Sequence, residues 1–152
     1  MNFEPIAYDP DEALKLENQI CFPLYAAARK VIGAYTPLLK PLGITYTQYI
    51  TFMILWENDG ITVGEIGSRL HLDNGTLTPM LKKMEKEGFI ERRRSLEDER
   101  KVDVFLTDSG REMKEKARNI PLEAGKCVNI SPKDAKTLYN ILYGIIDADK
   151  KK

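Results

Sequence analysis

Apolar residues recur at helical spacing over most of the chain. Across residues 11–39 the positions Leu16, Ile20, Leu24, Ala27, Ala28, Val31, Ile32 and Tyr35 form one stripe. Pro23 is expected to interrupt that helix, Pro37 and Pro41 to end it, and Gly43 to mark the turn. A second helix is expected over residues 46–57, with Asn58-Asp59-Gly60 as its stop. A short third covers residues 62–70, where Thr62 and Glu65 are spaced for a capping box. A fourth covers residues 73–87, with Leu77, Met80, Leu81 and Met84 inward and Gly88 at its end.

The period then changes to two. Residues 89–94 and 102–106 alternate as strands do, and the polar stretch 95–100 joins them, so a two-stranded ribbon is expected. Thr107 or Asp108 caps a helix over residues 109–118. Ser131 and Pro132 open a last one carrying Leu138, Ile141, Leu142, Ile145 and Ile146. The fold class is mainly α with a small β-ribbon: a winged helix-turn-helix with flanking dimerisation helices. Residues 1–45 form an acidic segment and a dimerisation helix, 46–107 the winged helix-turn-helix, and 108–152 the C-terminal dimerisation helices. A chain of 152 residues has little interior in which to hide both flanking stripes, so a second copy is their simplest cover.

Composition narrows the function. With 43% hydrophobic and 30% charged residues the chain suits one soluble domain and not general disorder. No apolar run approaches the roughly 18 residues of a membrane span. The acidic start lacks the regions of a signal peptide, so a cytoplasmic location is expected. Two cysteines make no disulfide scaffold; they are packing residues or redox groups. Lys+Arg and Asp+Glu both number 23, which excludes a globally basic nucleic-acid binder but not a locally basic one. No cofactor, no metal and no enzymatic activity are expected.

Two segments are locally basic. At the front of the fourth helix Asn74, Thr76 and Thr78 are short hydrogen-bonding side chains that can approach base edges, and Lys82 and Lys83 behind them can meet phosphates. An ordinary capped helix with a solvated face fits the same residues. Pro79 is expected near the helix start, where a missing N–H costs little. The ribbon gathers Arg92, Arg93, Arg94, Arg100 and Lys101, interleaved with Glu97, Asp98 and Glu99. An Asp98–arginine pair could fix the turn, and Arg94 and Arg100 could reach DNA, Arg100 in a minor groove whose potential attracts guanidinium. Both readings stand together.

Cys21 has two readings, a small packed residue or a reactive thiol. If Pro23 breaks the ladder, Cys21 sits near a helix N-terminus, whose partial positive charge favours thiolate. Cys127 likewise is either a bystander or a second redox group.

The stretch Asp98-Glu99-Arg100-Lys101-Val102-Asp103-Val104-Phe105-Leu106-Thr107 resembles the D-x-R-x(5)-L-T wing signature of the MarR family of transcription regulators. Residues 72–85, LDNGTLTPMLKKME, resemble the recognition helix of its OhrR branch, the organic-hydroperoxide-sensing repressors. Residues 18–29 and 42–49 resemble that branch's N-terminal blocks, and the resemblance runs over about residues 16–120. It implies a homodimer on double-stranded, pseudo-palindromic operator DNA. It also implies that Cys21 is the peroxide-reacting thiolate, held by the hydroxyls of Tyr35 and Tyr46 from the other subunit, with Tyr25 one turn along. Attack on the peroxide yields a sulfenic acid. In the branch that acid is capped by a small thiol or by a second cysteine of the partner subunit, for which Cys127 is the candidate. Two other functions compete: a regulator relieved by a small phenolic ligand, with Cys21 merely packed, and a thiol peroxidase.

Overall fold

The computed structural model describes residues 9–96, 98–127 and 130–148; the acidic Glu4, Glu97 of the ribbon, Val128 and the terminal lysines lie outside them. A short helix α1 (Pro10–Ala13) and a 3-10 turn (Leu16–Asn18) lead into the long helix α2 (Cys21–Leu39). The break in the first stripe therefore falls at residues 14–20 and not at Pro23. Pro23 is the third residue of α2, where its N–H would have had no helical partner. Nor does Pro37 end the helix. It lies inside α2, which runs two residues further at the loss of one ladder bond. Pro41 sits in the next 3-10 turn, and Gly43, at φ 70°, closes it in a left-handed conformation suited to glycine.

Helix α3 (Tyr46–Glu57) is apolar on most sides and buries Tyr49, Phe52, Ile54 and Leu55, which makes it the central helix of the lobe. Thr45 caps it in a capping box with Gln48. Strand β1 (Ile61–Thr62) follows, and Thr62 then caps α4 (Val63–Leu70) together with Glu65, as expected. Helix α5 (Asn74–Lys86) turns Leu77, Leu81 and Met84 inward. Strands β2 (Ile90–Arg94) and β3 (Val102–Leu106) pair antiparallel in the register Arg92↔Val104. β1 adds to the other edge of β3 through Ile61↔Val104, so the sheet has three strands in the order β1-β3-β2 where two were expected. Two residues are too few to show alternation.

Thr107 caps α6 (Asp108–Ala117), a further helix α7 (Ile120–Gly125) follows, and Ser131 caps α8 (Pro132–Ile146) with Pro132 in its first turn. The core joins Phe52, Leu55, Ile66, Leu77, Met84 and Val104 to Leu39, Ile44, Met113 and Ile120, drawing on both sides of residues 46–107. Helix α8 buries no residue, and α2 buries only Leu39 and half-buries Tyr35 and Leu38 against the core, so most of their apolar side chains stay exposed within one chain.

The base of the wing is tightly built. Asp59, after α3, accepts from the Leu106 N–H at 2.7 Å and from Arg111 of α6 at 3.0 Å. The Trp56 indole donates to the Gly110 carbonyl at 3.1 Å. A Cβ at Gly110 would stand 2.2 Å from the Phe89 carbonyl oxygen. Gly110→Ala is therefore expected to destabilise the fold by about 1–3 kcal/mol through overpacking against backbone. Urea unfolding checks this, and an unchanged midpoint would show that the joint has slack.

Candidate nucleic-acid interface and thiol site

The outer face of α5 starts from its cap. Asp73 accepts from the Thr76 N–H at 2.9 Å and from the Thr76 hydroxyl at 3.0 Å. These two bonds, the backbone one foremost, hold the Asp73 carboxyl below the usual carboxylate range. The Thr76 hydrogen is thus committed to the cap, and the side chain presents outward an acceptor oxygen and a methyl group. Asn74, first in the helix, is exposed; Thr78 is half-buried on the flank. Pro79, exposed, lies between Thr76 and Lys83 on the outer face, as the i, i+3, i+7 spacing of the three residues requires. It is the sixth residue of α5, so the ladder bond it forfeits is the one to the Gly75 carbonyl. Lys82 is exposed with no side-chain partner among the described residues, and Lys83 stands 3.8 Å from Glu87.

In the wing the arginines divide by role. Arg92 donates to Glu85 of α5 from its backbone N–H at 3.1 Å, Nε at 3.0 Å and Nη2 at 2.7 Å. The guanidinium bonds keep Glu85 ionised below its ordinary range and bolt β2 to α5. Arg93 lies 5.1 Å over the Phe105 ring and pairs with Glu91. Arg94 is exposed with no side-chain partner among the described residues. At the tip, the Arg100 side chain is 90% exposed while its Nε and Nη2 donate to Asp98 at 3.0 and 3.2 Å. The Lys101 N–H donates to the Asp98 carbonyl at 2.8 Å and the Ser95 N–H to the Lys101 carbonyl at 3.0 Å, which staples the turn. Asp98 shapes the wing, and Arg100 still projects from it.

Cys21 opens α2, exposed, with its thiol donating to Gln19 Oε1 at 3.6 Å. Tyr25, one turn on, is also exposed; its hydroxyl accepts from Arg29 at 3.3 Å. Tyr35 and Tyr46 meet edge to face at 5.0 Å, and Tyr49, a residue not singled out from the sequence, lies 5.9 Å from Tyr35. Its signal is the i, i+3 spacing from Tyr46. Burial foremost raises the phenols of Tyr46 and Tyr49, so both stay protonated donors. Cys21 and Tyr35 share one helix, fourteen positions apart. That is about 21 Å of rise. The structure thus brings Tyr35 and Tyr46 together and keeps Cys21 away from them within one chain. Cys127 follows α7 as an exposed free thiol, its N–H donating to the Ala124 carbonyl at 3.1 Å. Among the described residues no cluster of His, Cys, Asp and Glu could hold a metal, and no helix is long and apolar enough to cross a membrane.

Comparison with known proteins places these features. The family model of the transcriptional regulators SarA/Rot matches residues 34–117. The organic hydroperoxide resistance transcriptional regulator of Bacillus subtilis is 48% identical over 134 residues, which span 88% of this chain and 91% of that protein. The structure of reduced AbfR bound to DNA, a protein of Staphylococcus epidermidis, superposes with a TM-score of 0.73 at 33% identity, covering 93% of this chain and 99% of the other. AbfR in its disulfide-formed state superposes less closely, with a TM-score of 0.60 at 33% identity over 93% of this chain and 97% of the other. A wing stapled at Asp98, a capped helix before it and a thiol at the head of the first long helix thus stand in a chain with these relatives: it belongs to the MarR and SarA/Rot winged-helix transcriptional regulators, in the branch of the organic hydroperoxide resistance regulators.

Proposed function

We propose that the chain is a homodimeric repressor that binds double-stranded operator DNA and releases it when an organic hydroperoxide oxidises Cys21. The observation that carries this reading is the placing of Cys21: an exposed thiol at the N-terminus of α2, about 21 Å of helix away from the Tyr35–Tyr46 pair that would hold it. Two chains packed through α2 and α8 can close that gap, with residues 1–45 and 108–152 as the dimer frame and 46–107 as the DNA-binding lobe. A regulator of this kind works in the cytoplasm, beside its DNA, and needs no enzymatic turnover.

The thiolate attacks the outer peroxide oxygen. The S–O bond forms, the O–O bond breaks, and the alkoxide leaves with a proton as the alcohol; sulfur is oxidised to sulfenic acid and the peroxide is reduced. Phenolic hydroxyls of Tyr35 and Tyr46 donate to the anion without placing a full charge in apolar surroundings. The sulfenic acid then condenses with Cys127 of the partner subunit, giving a disulfide and water. A small cellular thiol performs the same condensation where Cys127 does not reach. The disulfide-formed state of AbfR supports the first route.

On DNA, Asn74, Thr76 and Thr78 face the major groove, Lys82, Lys83 and Arg94 meet phosphates, and Arg100 enters the minor groove. Thr76→Ala is expected to cost about 1–3 kcal/mol on the operator and little on random DNA. Lys82→Ala should weaken all sequences alike and flatten the salt dependence. Fluorescence anisotropy over a salt series, with and without cumene hydroperoxide, checks both. Equal losses from Thr76→Ala on operator and random DNA would remove α5 as the reading helix, and operator binding indifferent to hydroperoxide would remove the sensor.

A further inference from the structure

We infer, on the DNA-binding reading above, that Leu96 at the tip of the wing packs on the floor of the operator's minor groove and selects A·T over G·C pairs there. The ribbon's register places it. The last strand pair is Arg94↔Val102, and the Ser95 N–H, bonded to the Lys101 carbonyl at 3.0 Å, carries the pairing one step further. Leu96 and Arg100 are the first residues beyond that step on the two arms of the turn. Ser95 is buried, so its neighbours Arg94 and Leu96 point the other way, and both are exposed. Leu96 is fully exposed, and the Arg100 side chain is 90% exposed.

A single exposed leucine is ordinary on a protein surface; the place of this one sets it apart. Among the described residues of 46–107, the other exposed large apolar side chain is Met53, which lies beside Trp56 and Ala117 where the lobe meets α6. The remaining ones belong to residues 14–32 and 122–146, the flanking helices and the turns around them. Leu96 is six residues past Ile90, about 20 Å of extended chain from the base of the wing. A dimer packed through α2 and α8 therefore leaves it uncovered.

The duplex supplies the cover. The minor groove is about 6 Å wide, and its walls are deoxyribose C–H groups. Over an A·T pair the floor between the acceptors adenine N3 and thymine O2 is the adenine C2–H, so a leucine lying there buries its methyl groups against carbon. Over a G·C pair the guanine N2 amino group fills that place. An apolar side chain collides with it and leaves its donors unpaired. Apolar side chains do enter minor grooves, and the Arg100 guanidinium beside this one is drawn to the same narrow A·T stretches. The two arms of the tip thus favour the same base pairs by different means, Arg100 through charge and Leu96 through shape and desolvation.

Anisotropy titrations of the reduced full-length protein test this on operator duplexes in which each pair flanking the α5 contacts is set in turn to A·T, G·C or inosine·C. Inosine lacks the amino group, so its pair with C presents the minor-groove floor of A·T. At the pair under the wing, wild type should bind G·C about tenfold more weakly than A·T and regain most of the loss on inosine·C. Leu96→Ser should bind the A·T duplex several-fold more weakly and discriminate less among the pairs. Its salt dependence should match that of wild type, because no phosphate contact is lost, and Leu96→Met should restore the discrimination. Full exposure of the side chain keeps folding out of the comparison. A Leu96→Ser protein indistinguishable from wild type, one that loses equally on all the duplexes, or a G·C penalty that inosine does not relieve would overturn the proposal while leaving operator binding intact. A wild type that binds operator no better than random DNA would instead remove the DNA-binding reading itself.

Discussion

Cys21→Ser should bind operator as tightly as wild type and keep it bound at hydroperoxide concentrations that strip the wild-type protein entirely. Serine keeps the size and the hydrogen bond to Gln19, so the reduced architecture is preserved; what disappears is the group that can be oxidised. Tyr35→Phe and Tyr46→Phe should be intermediate, releasing DNA but more slowly, because on the reading proposed above each removes one donor to the sulfur anion while leaving the edge-to-face packing in place. Cys127→Ser separates the two ways of finishing the reaction. A disulfide requires Cα atoms within about 7 Å, so the exposed Cys127 after α7 must lie near Cys21 of the partner subunit or be carried there. On a non-reducing gel the hydroperoxide-treated wild type should run as a dimer and Cys127→Ser as a monomer. Release from Cys21→Ser would move the sensor elsewhere, and a wild type that stays monomer-sized and lets go only when a small thiol is added would make Cys127 a bystander.

Ile141→Asp is the second large effect. Helix α8 buries nothing within one chain, yet presents Leu138, Tyr139, Ile141, Tyr143, Ile145 and Ile146 to the outside. A contiguous apolar face of that kind marks an association surface, and a carboxylate at its centre would have to be desolvated without a partner. Sedimentation should show monomers at micromolar concentration. Because two linked lobes reach half-sites about one helical turn apart together, the monomer should bind operator about 10²–10⁴-fold more weakly. Its affinity for an isolated half-site should barely change. A wild type that sediments as a monomer would dismiss the dimer altogether.

How much of the molecule is legible in its sequence depends on how locally each feature is encoded. The caps at Thr62, Thr107 and Ser131 are legible, since a capping side chain acts within three residues of itself. So are the inward stripe of α5 and the alternation of β2 and β3. The strand β1 is not, because two residues have no periodicity and owe their state to the edge of β3 that they meet. The six residues of α7 escape notice for a similar reason. The prolines mislead in two ways. Pro23 suggests a break, although the actual break at residues 14–20 is made by side chains such as Asn18 and Gln19 bonding back to carbonyls of residues 12 and 13. Pro37 suggests a stop, although one lost bond does not end a helix whose neighbouring turns are intact. In the proposed DNA-facing surface, the chemistry of single residues is readable but their commitments are not. Nothing in the order of residues shows that Thr76 spends its hydrogen on Asp73 or that Arg92 is bound to Glu85. The thiol site is the least legible, because on the reading proposed above its parts lie in two chains.

The 2.2 Å that would separate a Gly110 Cβ from the Phe89 oxygen has a mechanical meaning. At that point α6, which leads toward the C-terminal helices, lies backbone against backbone on the residue that enters the wing. Asp59 clamps the same joint from the other side, holding β3 and Arg111 at once. Arg92 extends the chain of fixed contacts to α5. Joined in this way, α5, α6, β2 and β3 make one stiff unit. On the function proposed above, such a unit acts as a lever whose fulcrum is the dimer helices: a small tilt at its base is multiplied at the wing tip, and two tips can leave their grooves without rearrangement inside either lobe.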